Sequence, residues 1–253
     1  MILWRTFKKH LRSAGSSLKE IRRIERALGL SSKTIVLYIL EVLFDFKFGI
    51  YLIRQIRNAR KTLNNDSRLG GWIEFYTALL VYALIRTKKP ETVLETGVGP
   101  GSTSALILNA LRQNSKGALY SIDLPGHDSL IYPKIGRMYN VHVPPGFDVG
   151  WMVPSWLKDR WILTIGDAKE KLPEVLASPL HVDIFLHDSL HTDEHIEFEL
   201  RTVLPFMKTG GLLLADDVDE YWSLAFAHWC TRNEIPFVVF RRRLGIAIVG
   251  NKV

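Results

Sequence analysis

The stretch Thr92-Val-Leu-Glu95-Thr-Gly97-Val-Gly99-Pro-Gly101-Ser102 decides how the rest of the chain is read. Thr92 to Glu95 form a short apolar strand, three alternate glycines follow, and STSALILNALRQN after them has the pattern of a helix. Glycines between a strand and a helix allow a tight turn and a close approach of backbone to a ligand. The spacing is G-x-G-x-G; the dinucleotide fingerprint needs a further glycine at 102, where Ser102 stands. No G-K-[ST] follows, so the loop is not a P-loop.

Outward from this loop, strands and helices alternate. A helix is expected over 73–86, and further strands over 118–123 (ALYSID), 161–167 (WILTIGD), 182–188 (VDIFLHD) and 210–217 (GGLLLADD). Helices are expected from about Asp193 to Leu204 and over 222–233. PFVVFR (236–241) and GIAIVG (245–250) close the chain as two strands. Such alternation gives a doubly wound α/β domain with a mainly parallel sheet of seven strands. Only Arg242, Arg243 and Leu244 separate the last two strands, too few for a parallel crossover, so the last strand must enter antiparallel. The arginine run 241–243 at that turn reads as a solvated edge.

Residues 1–60 read as a helical extension ahead of a domain over 61–253. The net charge is +7, and nine bases against two acids in residues 1–33 account for all of it. The neutral remainder argues against a nucleic-acid groove. One cysteine, Cys230, excludes an internal disulfide and a cysteine-built zinc cage, and fits a reducing, cytoplasmic setting. No cleavable signal peptide is read at the start. Leu18, Ile21, Ile24 and Leu28 share one helical face, Gly29 is a stop, and Ser31 or Ser32 a cap. The next helix is expected as one piece from Lys33 to Arg60, containing IVLYILEVLFDFKFGIYLI. Glu41, Asp45 and Lys47 near its middle argue against a bilayer span: each charge costs about 2.5–3.5 kcal/mol there, and each large apolar residue returns about 0.3–0.6. Packing on the main domain or on a second subunit is the leading expectation, which makes a homo-oligomer the expected state. A peripheral membrane contact through the basic arm is the alternative.

Residues 124–160, rich in proline, glycine and tryptophan, leave the C-terminal end of the second strand, the edge where open α/β sheets bind ligands. They read as a lid over a substrate, or else as a packed insertion.

Asp123 ends the second strand, 22 residues past Gly101, where a carboxylate can accept both hydroxyls of a ribose. Gly166-Asp167-Ala168 ends the third, where a carboxylate can accept from an adenine amino group. The set Glu95-x-Gly97-x-Gly99-x-Gly101, Asp123 and Gly166-Asp167-Ala168 resembles the class I S-adenosylmethionine-dependent methyltransferases over roughly residues 70–250. That resemblance implies a Rossmann-like fold in which Gly97, Gly99 and Gly101 border the methionine part of S-adenosylmethionine, with Ser102 opening the helix. It further implies that Asp123 holds the ribose, Asp167 and Ala168 the adenine, and Glu95 the loop.

The fourth strand ends in His187-Asp188-Ser189-Leu190-His191 and the fifth in Asp216-Asp217. Three carboxylates on adjacent strand ends, with no basic residue among them, repel one another unless a cation such as Mg²⁺ intervenes. Asp188-x-x-His191, with Asp216-Asp217 28 residues after Asp188, resembles the metal-dependent sugar O-methyltransferases of macrolide biosynthesis and, more distantly, catechol O-methyltransferase. The implied roles are Asp188, Asp216 and Asp217 as Mg²⁺ ligands and His191 as general base, acting on a small hydroxylated, sugar-like acceptor. His195, a turn later, is expected at the surface. Two other readings stand beside this one. An iron-dependent hydroxylase would use His187, Asp188 and His191, although neighbours on a strand end should point apart. A non-catalytic cofactor-binding or assembly module would use the basic arm.

Overall fold

The computed structural model describes residues 17–126, 134–135, 138–178, 180–219 and 223–250, the side chains of 134, 135, 138 and 139 excepted. Arg5, Lys8, Lys9 and Arg12 of the basic arm, and His127 and Pro133 of the insertion, lie outside the described residues. Helix α1 occupies residues 17–28. After it come α2 (Ser32–Leu43), α3 (Phe46–Arg60), β1 (Ser67–Leu69), α4 (Phe75–Lys88), β2 (Thr92–Thr96) and α5 (Ser102–Gln113). Then follow β3 (Ala118–Asp123), β4 (Lys134–Ile135), β5 (Met138–Val141), β6 (Trp161–Ile165) and α6 (Ala168–Leu176). The chain ends with β7 (Val182–His187), α7 (Asp193–Val203), β8 (Met207–Ala215), α8 (Ala225–Arg232), β9 (Phe237–Phe240) and β10 (Leu244–Ile248).

Seven strands make the main sheet in the order β6-β3-β2-β7-β8-β10-β9. The first five are parallel, and β10 runs antiparallel between β8 and β9, as the short final turn requires. Helices cover both faces, so the central strands are apolar at nearly every position. Alternate residues divide between two cores: Val93, Ile184, Leu212 and Leu214 face the core of α2, α4 and α5, and Leu94, Phe185 and Leu213 face that of α6, α7 and α8. Helix α4 lies within the first core, with eight buried residues and Glu74 capping it through the amides of Tyr76 and Thr77. The helix α6 escaped the sequence reading because Pro173 interrupts its pattern.

The long helix expected over Lys33–Arg60 is two helices. Asp45 ends the run by capping α3: its carboxylate accepts from the Phe48 amide at 3.0 Å and from Asn109 of α5 at 3.1 Å. A local cap outcompetes one more helical turn here. Glu41 also turns inward, accepting from Tyr82 at 2.5 Å and Arg86 at 2.7 Å. Two of the three charges that speak against a span, Glu41 and Asp45, therefore anchor the extension to α4 and α5. Ile21, Ile24, Ile35, Val42 and Phe48 join the same core as β2 and α5, so the extension shares the domain's core. Among the described residues no helix is long and apolar enough to cross a membrane.

The insertion is partly β-structured. β4 and β5 form an antiparallel pair, and β5 lies parallel to β1, giving a second sheet in the order β1-β5-β4.

Arg86 joins Glu41 of α2 to Asn114 at the end of α5. Replacing Arg86 with Met should lower stability by about 1–2 kcal/mol, the worth of charged hydrogen bonds discounted for partial exposure of Glu41. Urea denaturation followed by circular dichroism checks this, and an unchanged midpoint would mean that the anchor adds nothing.

Candidate active site

Sheet order brings the sequence-predicted residues to one edge. The C-terminal ends of β6, β3, β2, β7 and β8 lie side by side, carrying Asp167, Asp123, the glycine loop, Asp188 to His191, and Asp216 with Asp217. β2 is where the chain switches direction across the sheet, with β3 on one side and β7 on the other, the position at which open α/β sheets form a ligand crevice.

Gly97, Gly99 and Gly101 all have φ in the left-handed region, at +84°, +50° and +81°. A Cβ on Gly97 would lie 1.9 Å from the Asp188 carbonyl oxygen, and one on Gly101 would lie 2.6 Å from Gly150 Cα. These two glycines are required by neighbouring backbone. Gly99 faces Gly71 and His142. The loop's far wall is the insertion, where the Gly150 amide donates to the Gly99 carbonyl and that of Met152 to Pro100, both at 2.9 Å. Trp151 Nε1 donates to the His142 carbonyl at 2.8 Å. His142, which carried no sequence motif, is thereby held beside the loop, and burial lowers its pKa to about 4.

Asp123 binds the loop directly. One carboxylate oxygen accepts from the amides of Val98 (3.1 Å) and Gly99 (2.6 Å), the other from Leu124 (2.8 Å). A carboxylate offers about four lone-pair directions, so acceptance from two ribose hydroxyls would require it to release a loop amide. Asp167 caps α6, accepting from the Lys169 amide at 2.8 Å. Leu124 and Ile165, next to these acids, are exposed apolar side chains such as an adenine ring can lie against. The placement of Asp123, Asp167, Ala168 and the loop on three adjacent strand ends fits an adenosine-bearing cofactor. Glu95 lies fully buried beneath the loop and accepts from Ser104 at 2.7 Å and Ser121 at 2.8 Å. Burial pushes its carboxyl up to about 7.

The acid cluster adjoins on β7 and β8. Asp188 is raised well above the usual carboxyl range by burial, then by the charges of Asp216, Glu95, Asp217 and Asp123. Asp216 is pushed up to about 7 by burial and by Asp217. His191 Nε2 lies 3.7 Å from an Asp217 oxygen and 4.0 Å from an Asp188 oxygen. Burial, then the charge of His187, lowers the His191 pKa to about 4, so the imidazole is neutral at pH 7.

Two sequence expectations are corrected here. A basic residue does stand among the carboxylates: Arg243 pairs with Asp217, and its carbonyl accepts from the Val218 amide at 2.9 Å. The arginine turn is therefore not merely a solvated edge. His195 is buried, because Glu199, one turn on, accepts from its Nε2 at 2.9 Å. Glu199 also meets His187 at 2.6 Å, Thr96 at 2.6 Å and Ser189 at 2.8 Å. Burial opposes ionisation of Glu199, but His187 and these donors hold its carboxyl well below the usual range. His187 thus serves a buried network behind the site. Spacing on α7, His195 to Glu199 at i and i+4, was the available signal. Among the described residues no group of three or more His, Cys, Asp or Glu side chains is arranged to hold a metal ion. Asp188, Asp216 and Asp217 share one edge, and a metal ion there would compete with Arg243 for Asp217.

Residues 94–218 match the family model of a methyltransferase domain. A methyltransferase from Geobacter sulfurreducens superposes with a TM-score of 0.55 at 18% identity, over 79% of this chain and 88% of that one. The O-methyltransferase TomG of Streptomyces achromogenes, from tomaymycin synthesis and in complex with S-adenosylmethionine, gives 0.51 at 14% over 79% and 90%. An O-methyltransferase from Bacillus cereus in complex with S-adenosylhomocysteine gives 0.51 at 13% over 90% and 96%. Comparison with curated proteins gives no match. The sheet order and these likenesses show a Rossmann-like methyltransferase fold.

The Glu95 carboxyl supplies a pH test of the site's floor. Its folded pKa is raised from 4.5 to about 7, so the folded state holds the proton more tightly. Its contribution is fully present below pH 4.5 and is lost as pH rises through 7. In thermal melts without ligand, wild type should lose stability relative to Glu95→Gln, which mimics the protonated form, as pH rises across that window. A constant difference would mean that Glu95 is not desolvated.

Proposed function

We propose that this chain transfers a methyl group from S-adenosylmethionine to a hydroxyl of a small acceptor, with His191 as general base. The carrying observation is the adjacency of β2 and β7: the glycine loop and Asp188 touch, so a cofactor on the loop would face His191 and the acid cluster. Bound there, S-adenosylmethionine would supply an electrophilic methyl group on a sulfonium. The loop would border its methionine part, and Asp123 and Asp167 would hold its nucleoside. His191, neutral at pH 7, would take the acceptor's hydroxyl proton, and the imidazolium so formed would lie between Asp188 and Asp217. Arg243 would keep Asp217 in place.

Leu190, between Asp188 and His191 in sequence, and Phe75, beside Glu74, whose charge acts on Asp216, are exposed. This apolar rim supports a hydroxylated acceptor with an apolar body over a bare sugar. A magnesium-assisted variant draws support from the crowding of Asp188 and Asp216, but it requires Asp217 to leave Arg243, and no step is assigned to the ion. Turnover lost in excess EDTA and restored by Mg²⁺ would establish it; undiminished turnover would remove it.

Two outcomes test the main reading. Calorimetry should show S-adenosylmethionine binding to wild type, with Asp123→Asn at least about tenfold weaker, since one lost charge-assisted bond is worth about 1.5–3 kcal/mol. His191→Ala should cut turnover about 10²–10⁴-fold while cofactor affinity stays near wild type. Absence of binding would sink the function itself, whereas full turnover in His191→Ala would sink only the base.

A further inference from the structure

The outer surface of α2 and α3 is apolar and basic together. On α2 and its C-cap, Lys33, Leu37, Leu40 and Phe44 follow one another at i, i+4, i+7 and i+11, and all four are exposed. On α3, Phe46, Ile50, Ile53, Arg57 and Arg60 do the same. Phe44 and Phe46, at the junction, are 66% and 68% exposed. Large apolar side chains clustered this way mark a surface with a partner. Every exposed charge between residues 31 and 61 is basic: Lys33, Lys47, Arg54, Arg57, Arg60 and Lys61. The two acids of the segment, Glu41 and Asp45, are turned inward to Tyr82, Arg86 and Asn109. Helix α1 adds exposed Arg22, Arg23 and Arg26, while its exposed acid, Glu25, accepts from Ser32 at 2.6 Å.

We propose that this face docks the protein on an anionic lipid surface, the apolar stripe entering the headgroup layer and the bases meeting lipid phosphates and carboxylates. The charge pattern selects this occupant. A second copy across a two-fold axis would set the patch against itself, and Arg54, Arg57 and Arg60 would meet their own equivalents with no exposed acid within residues 31–61 to offset them. An anionic bilayer complements both features at once. Because α2 and α3 are pinned to α4 and α5, the face is presented on a fixed scaffold and needs no unfolding to bind.

The test uses the full chain, so the basic residues before position 17 remain in every sample. Co-flotation should show binding to phosphatidylcholine vesicles containing phosphatidylserine and little to phosphatidylcholine alone, with binding weakened by salt. The exposed double variants Phe46→Ser/Ile50→Ser and Arg57→Glu/Arg60→Glu should each bind at least about tenfold less well, with circular dichroism unchanged. Wild-type binding in both variants would overturn the proposal. So would light scattering that shows a dimer which Phe46→Ser/Ile50→Ser dissociates, since the face would then belong to a second copy. The readout involves neither cofactor nor turnover, so failure here leaves the proposed methyl transfer untouched.

Discussion

Five carboxylates, those of Glu95, Asp123, Asp188, Asp216 and Asp217, meet at one end of the sheet, and four of them act electrostatically on Asp188. Each is buried enough that desolvation raises its pKa. The Arg243 guanidinium is the cation set against Asp217 and is also felt by Asp216. Like charges so placed persist only if protons, backbone amides or cations offset them. This constraint organises the edge. Asp123 is offset by loop amides, Asp217 by Arg243, and Asp188 and Asp216 by holding protons more tightly. The same field would favour a sulfonium cofactor over its uncharged demethylated product, so transfer of the methyl group would itself weaken the hold on what remains.

The backbone carries much of this arrangement. The Asp188 amide donates to the Thr96 carbonyl and the Asp216 amide to that of His187, at 2.8 and 2.9 Å, so β2, β7 and β8 extend their ladder one residue beyond the strands. Those extra bonds bring the acids together and leave the Gly97 turn no room for a side chain. Behind them, Glu199 ties Thr96, His187, Ser189 and His195 into one buried network under both strand ends. With each oxygen engaged twice, the Glu199 carboxylate specifies one arrangement, because any alternative leaves a buried partner without its bond.

Much of the fold was legible from local pattern. Strand β3 runs from Ala118 to Asp123 as its alternation indicated, and β10 is antiparallel because three residues cannot cross a sheet. The elements that escaped depend on distant partners. β1 is three residues long and exists through its pairing with β5, some seventy positions on. The break at Asp45 required weighing a cap against an apolar run, and the run dominated the reading. At the site, the strand-end acids were visible as sequence, whereas Arg243, His142 and Glu199 were not. Arg243 and His142 come from elements remote in the chain with nothing in their own neighbourhood to mark them, and Glu199 is marked only by its i, i+4 spacing from His195.

Arg243 shows why that distinction matters for chemistry. Read along the chain, Asp188, Asp216 and Asp217 are acids without a counter-charge, and a divalent ion is the economical answer. In the folded chain the β9–β10 turn places a permanent cation there. It is fixed on both sides, by the Phe240 carbonyl accepting from its amide at 3.0 Å and by its own carbonyl accepting from Val218 at 2.9 Å. A guanidinium stays charged across the working pH range, so Arg243 opposes the upward push of burial on Asp217 and orients it beside His191 whatever the supply of metal. The demand that the acid cluster makes for positive charge is thus met in part by the protein's own last hairpin, which also closes the sheet. Sheet closure and site electrostatics are consequences of the same short turn.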